Sequence, residues 1–276
     1  MQKIVAFCKR NPMLSHEEYR AAHAGYHVSA SRRLRKIRGY LNHTWSDRDF
    51  NRQVPEATFN EPEGFYELWD GSSEVWWESF DDFFSRNEKD RAGPDGLEFD
   101  TDKLHDSAEE RLFGEAPHLF AADERVIVPV HRPERYLTKL YQFAKRKHSI
   151  SQDEFIQRWQ SEYAILYRNI PNIFGYTLTS RLENIEVMRG FYPDKLEKKA
   201  YSEEGILTRK YFYSLWDGIG SIWLDNLGDF NRFRLMNSEV LSSLEKELFD
   251  AIWYREIDES MGVLPKRGRT LPYYYR

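Results

Sequence analysis

Two histidines, His23 and His27, stand four residues apart in RAAHAGYHVSASRRLRK, residues 20–36. On a helix, side chains at that spacing share one face. The pair is open to three readings: two ligands of a metal ion, an imidazole that takes or gives a proton near pH ~6.5 with a bystander beside it, or two ordinary polar residues ahead of a basic cluster. The metal reading is the weakest. Zinc-binding helices of the H-E-x-x-H type place a glutamate directly after the first histidine. That place holds Ala24, and no third ligand is evident, so no metal site is expected.

The strand-like GYLNHTW, from Gly39, puts Tyr40 and Asn42 on one face and Leu41 and His43 on the other. His43 is a second acid/base candidate, and the Tyr40 hydroxyl could stabilise an oxyanion or return a proton. Arg32, Arg33, Arg35, Lys36 and Arg38 read first as a solvated helix face. Arg33 and Arg38 are the candidates for holding a carboxylate or phosphate.

These residues belong to a unit that occurs twice. KIVAFCKRNPMLSHEEY, from Lys3, matches KLYQFAKRKHSISQDEF, from Lys139, and the same offset relates Gly39-Tyr40 to Gly175-Tyr176. FYELWDGSSEVWWESFDDF, from Phe65, matches FYSLWDGIGSIWLDNLGDF, from Phe212, after a longer intervening loop. ADERVIVPV near Asp123 resembles IDESMGVLP near Asp258. Each copy reads as a strand, a helix opened by a capping box (Ser15 with Glu18, Ser151 with Glu154) and running to about residue 36 in the first copy, and a strand after the glycine. GFYELWDG then reads as a third strand, and SSEVWWESFDDFFSR as a helix with Val75, Trp76, Phe80 and Phe83 at helical spacing. A last strand, RVIVPV, completes a βαββαβ unit of the ferredoxin-like kind. Such a unit leaves one apolar sheet face bare, and a second copy can cover it. The fold expected is α+β: two ferredoxin-like repeats, residues 1–133 and 134–276, packed sheet to sheet as an intramolecular α+β barrel, the second ending in the aromatic tail RTLPYYYR.

A strand ending in Lys-Arg, the LSHEEY helix start, a histidine further along and RGY resemble the EthD family of the dimeric α+β barrel group. The resemblance spans both halves. It places His27 at the family's characteristic histidine and His23 at a tryptophan position, whereas the second half keeps Trp159 and replaces the histidine with Tyr163. It implies a barrel used by cofactor-free cyclases, isomerases, decarboxylases and dehydratases, by quinone-forming monooxygenases and by some haem proteins.

Composition narrows the setting. Hydrophobic residues make up 41% and charged residues 31%, the net charge is −5, and there is one cysteine, Cys8. A soluble, cytoplasmic protein is expected, without disulfides, without a membrane span and without a nucleic-acid partner. It would act as a monomer with an internal pseudo-dimer or as a homodimer. Aromatic residues reach 16%, enough to fill a core and also to line a pocket for a flat ligand. Tyr66, Trp69, Trp76 and Trp77 are candidates for pocket walls. No phosphate-cradling loop, dinucleotide fingerprint or nucleophile elbow occurs, so no cofactor is expected. The function expected is a cofactor-free acid/base lyase acting on a small aromatic, phenolic or polyketide-like molecule. His27, His43, Tyr40 and Tyr163 would be its catalytic groups, and His23, Tyr66, Trp69, Trp76, Arg33 and Arg38 its substrate contacts. The alternatives are a cofactor-independent or haem-dependent oxidoreductase of the same barrel group, and a non-catalytic small-molecule-binding protein.

Overall fold

The computed structural model describes residues 1–32, 34, 36–84, 110–115, 118–133, 135–183, 185–189 and 194–265. Arg33, Arg35 and the tail tyrosines lie outside the described residues. Eight antiparallel strands close into a barrel: β1 (Gln2–Cys8), β2 (Gly39–Trp45), β3 (Gly71–Trp77), β4 (His118–Val128), β5 (Thr138–Arg146), β6 (Ile173–Arg181), β7 (Gly218–Leu224) and β8 (Phe249–Val263). Their order around the barrel is β1-β3-β2-β8-β5-β7-β6-β4. Residues 2–128 and 138–263 thus contribute their strands in the same internal order, and the β2–β8 and β4–β6 ladders join them.

Helices cover the outer faces. In the first half His16–Ala22 begins at a complete capping box, in which Ser15 Oγ accepts from the Glu18 amide and the Glu18 carboxylate accepts from the Ser15 amide. The helix then widens into a π-turn at His23–His27 and ends with Val28–Ser31, short of residue 36. In the second half Gln152–Arg158 starts at Ser151 and widens into a π-turn at Trp159–Tyr163. Single π-turns are uncommon and recur at functional positions.

Two expected elements differ. Phe65–Leu68 is a short 3₁₀ turn rather than a strand, and SSEVWW is the strand β3 rather than a helix; Phe80–Phe84 beyond it is helical. All seven residues of β3 are buried, because one face meets the barrel lumen and the other the helices. With no solvent face the apolar/polar alternation disappears, and the remaining apolar spacing mimics a helix.

Seven of the eight tryptophans are fully buried, so the aromatic excess is chiefly packing. At one end of the lumen Phe65 and Phe212 stack on each other, ring centroids 5.8 Å apart and 10° from parallel. Phe7, Trp69, Phe143, Trp216 and Trp253 surround them. Beyond this plug the lumen is charged. Lys3 Nζ lies 2.8 Å from Glu124 and donates to Thr179 Oγ1 at 2.9 Å. Lys139 Nζ lies 2.9 Å from Glu259 and donates to His43 Nε2 at 2.6 Å. The two lysines occupy matching positions of the two halves, and each sits over a tryptophan, Trp76 at 5.0 Å and Trp223 at 4.5 Å.

Candidate active site

The π-turn of the first half lays His23 and His27 on the outer face of β2 and β3. Gly71 makes the approach possible: a Cβ there would lie 2.5 Å from His43 O, 2.7 Å from Tyr19 Oη and 3.0 Å from His23 Nδ1. Gly218 plays the same part under the second π-turn, where a Cβ would meet the Trp159 ring at 2.5 Å. The Gly71→Ala variant is expected to lose about 1–3 kcal/mol through overpacking and to displace His23. Urea denaturation with a turnover assay checks this, and wild-type values in both would contradict it.

Around the turn a polar cluster is sealed from solvent. Tyr40 Oη lies 2.9 Å from His27 Nδ1 and 3.3 Å from Ser73 Oγ. Ser73 donates to Asn42 Oδ1 at 3.1 Å, and Asn42 Nδ2 donates to the His23 carbonyl at 2.6 Å. Ser31 Oγ stands 3.4 Å from His27 Nε2. The Tyr40 hydroxyl can donate to either neighbour. Donating to His27, it leaves the imidazole hydrogen on Nε2; donating to Ser73, it lets His27 keep its hydrogen on Nδ1 and present Nε2 as an acceptor. His23 is 0% exposed, its ring 5.0 Å from that of His27, and neither of its nitrogens has a hydrogen-bond partner among the described residues; nor does Tyr19 Oη. Phe113 closes the side, edge-on to both imidazoles.

Burial pushes the imidazoles toward the neutral form. His27 is lowered to about 4 by loss of solvent, and His23 falls well below the usual range by burial, with further lowering from His27 and His43. In the window between about 4 and the ordinary value near ~6.5 the unfolded chain binds more protons than the folded one, so stability rises with pH. The His27 contribution is complete above pH ~6.5 and disappears as the pH falls toward 4, amounting to about 3 kcal/mol. The urea midpoint is therefore expected to drop steeply between pH ~6.5 and 4, with any acid limb of activity near 4 rather than ~6.5. A flat midpoint across that window would contradict the buried neutral pair.

The structure brings His23, His27 and Tyr40 together and separates the other expected site residues from them. His43 lies on the lumen face of β2, with Nδ1 2.8 Å from Tyr141 Oη and Nε2 beside Lys139, and it is lowered to about 4 by burial and by Lys139. Trp69 belongs to the lumen plug and Trp76 stands over Lys3. Tyr66 Oη donates to the Tyr254 carbonyl at 3.1 Å, and its ring lies under Arg255 at 4.0 Å. Arg38 is exposed and meets Glu78 at 3.4 Å. Tyr163 sits in the second half, donating to Glu245 at 2.6 Å within a buried cluster containing Tyr167, Tyr254 and Arg234. Asp70, buried beneath β1, is ionised: burial raises it, but hydrogen bonds from His16 and the Arg10 amide and the charges of Lys9 and Arg10 hold it at about 2.

Tyr19, Asn42, Ser73, Gly71 and Phe113 also build the cluster and were not singled out in the sequence as site residues. The signal available for Gly71 was its place in a duplicated WDG. For Asn42 it was sharing a strand face with Tyr40. Among the described residues no three His, Cys, Asp or Glu side chains gather closely enough to hold a metal ion, and no helix is long and apolar enough to cross a membrane.

No family model and no curated protein matches the sequence. The fold is matched by a candidate monooxygenase from Fusobacterium nucleatum subsp. nucleatum, with a TM-score of 0.52 at 8% identity over 94% of this chain and 91% of that one. Weaker likenesses are to a candidate monooxygenase from Lactobacillus acidophilus (TM-score 0.49, 6% identity, 96% of each chain) and to an anthrone oxidase-like protein (TM-score 0.45, 11% identity, 99% and 95%). At these identities the first likeness shows a shared barrel fold, and the other two carry no further argument.

Proposed function

We propose that this chain is a cofactor-independent monooxygenase of small phenolic or polyketide-like aromatic molecules, built on two ferredoxin-like repeats of the EthD kind, residues 1–133 and 134–276. The observation that carries the reading is the buried cluster in which a neutral His27 meets Tyr40 at 2.9 Å beside a His23 whose two ring nitrogens have no partner among the described residues. Unsatisfied buried nitrogens are costly to keep, and a ligand hydroxyl reaching the imidazoles would satisfy them. The reaction class is supported by the candidate monooxygenase that shares the fold. The tandem is supported by the matching strand order, the two π-turns and the paired lumen lysines.

In this proposal the substrate phenol donates to His27 Nε2, which takes its proton, while the phenol oxygen accepts from a His23 ring N–H. Tyr40 accepts the Nδ1 hydrogen of His27 and donates to Ser73, which donates to Asn42, so the imidazolium is held as it forms. The phenoxide then carries negative charge at the para carbon, which bonds to dioxygen. One oxygen atom stays as the new carbonyl; the other leaves as water with the ring hydrogen and the phenolic proton. A phenol and dioxygen thus give a quinone and water, and the substrate supplies the four electrons. His43 and Tyr163 take no part in it.

Proton removal by an imidazole would begin a lyase reaction equally well. The structure that shares the fold is described as a candidate monooxygenase, so the fold lends the lyase no support. The test is oxygen uptake on a dihydroxynaphthalene, expected to match hydroxynaphthoquinone formed one for one. Substrate consumption without oxygen uptake would favour the lyase. A Soret band in the purified protein would favour haem chemistry instead, and ligand retention without turnover a binding protein.

A further inference from the structure

The two halves differ between their second and third strands: residues 182–217 separate β6 from β7, against residues 46–70 between β2 and β3. The longer segment carries the helices Asp194–Ala200 and Glu203–Ser214, and it reaches over the first half. Lys199 Nζ donates to the Gly114 carbonyl at 3.1 Å, and Tyr213 Oη to the Leu119 carbonyl at 3.1 Å. Beneath it lies a cavity of about 380 Å³, within the range of small-molecule sites. None of its lining residues belongs to the His23–His27–Tyr40 cluster.

His118 forms part of the lining. It is 6% exposed, its ring is stacked on Phe212 with centroids 4.7 Å apart, and its Nδ1 has no hydrogen-bond partner among the described residues. Three cations share the cavity, and each ends on a backbone carbonyl: Lys9 on Glu67, Lys199 on Gly114 and Arg209 on Ala200. Lys9 is also 3.5 Å from Asp70, a carboxylate already engaged by Arg10. The cavity's own carboxylates, Glu67, Glu115 and Glu204, are exposed to solvent, whereas Lys9 and Arg209 are half-buried. Lys9 and Arg209 thus lie where water is scarcer, and the carboxylates, like Lys199, where water screens them. The opening turn of the Glu203–Ser214 helix, through Ser202, Glu204 and Gly205, also lines the space and adds its positive dipole end.

We propose that this cavity binds a small organic oxyanion, a carboxylate or a phosphate ester, held by Arg209, Lys199 and Lys9 with the His118 ring against its body. The helices that roof it belong to the segment that is longer in the second half. The site does not depend on the proposed monooxygenase reaction.

The full chain would be titrated with benzoate and with phenyl phosphate at constant ionic strength, with sodium chloride as control. Melting temperature and calorimetric heat would be followed together with the ring signals of isotope-labelled histidine. A saturable rise in melting temperature with at least one probe is expected, accompanied by a shift of the His118 signal; which probe acts distinguishes carboxylate from phosphate. The Lys199→Gln variant, altered at an exposed side chain, should weaken binding about tenfold, in keeping with loss of a charge-assisted contact of about 1.4 kcal/mol. Arg209→Gln should weaken it further. Neither probe exceeding chloride, or both variants binding as wild type does, would overturn the proposal.

Discussion

Replacing His27 with glutamine is expected to lower turnover by about 10²- to 10⁴-fold, the usual contribution of a positioned acid/base group. The glutamine amide can still accept from Tyr40, so the stability cost should stay within about 1–3 kcal/mol, the range for one disturbed buried hydrogen bond. Two controls separate chemistry from folding. Tyr163→Phe alters the matching residue of the second half and removes the hydroxyl that donates to Glu245 at 2.6 Å. It should cost comparable stability and leave turnover unchanged. His23→Trp gives the first half the residue that the second keeps at Trp159, which rests on Gly218 as His23 rests on Gly71. It should fold, because the slot already accepts an indole in the other half, and it should be inactive. Equal losses in His27→Gln and Tyr163→Phe would mean that activity follows stability alone.

The largest stability effect should come from the lumen. Lys139→Met leaves Glu259, 10% exposed, without the ammonium 2.9 Å away. Removing one member of a buried pair costs about 3–5 kcal/mol, because the charge left behind is desolvated and uncompensated. Burial raises the Glu259 carboxyl, yet Lys139 and Arg132 hold it well below the ordinary range, so the carboxylate stays charged and needs its partners. The double change Lys139→Met with Glu259→Leu should recover part of the loss, since two apolar side chains replace the pair while Arg132, 21% exposed, loses its carboxylate and keeps its solvent contact. Urea midpoints of the two single variants and the double variant give the coupling directly. A single-variant loss below about 1 kcal/mol, the scale of an exposed pair, would contradict the buried-network description.

The strands β1 and β2 and the capped helix starts were legible in the sequence, because their segments occur twice; the candidate histidines, which the second half lacks, were legible from residue type and spacing. What duplication marks it does not explain. Lys3 and Lys139 matched as strand residues, and nothing in the sequence says that each crosses the lumen to the other half, to Thr179 and to His43. Strand alternation put Tyr40 and His43 on opposite faces; closure of the barrel then made one face a lumen and the other a helix-covered site. β3 was misread because burial on both faces erases the period that distinguishes strand from helix. His23 was expected as a substrate contact at a position where the second half keeps Trp159. Only its surroundings reveal ring nitrogens with nothing to bond, since an unmet hydrogen bond is a property of neighbours rather than of residue type.

The most direct test of the central claim is to run the reaction under isotopically labelled dioxygen with chelator-treated protein and to weigh the product formed from a dihydroxynaphthalene. One labelled oxygen atom per quinone, lost in His27→Gln and retained in Tyr163→Phe, is the predicted result. An unlabelled product, or labelling that survives the loss of His27, would contradict it.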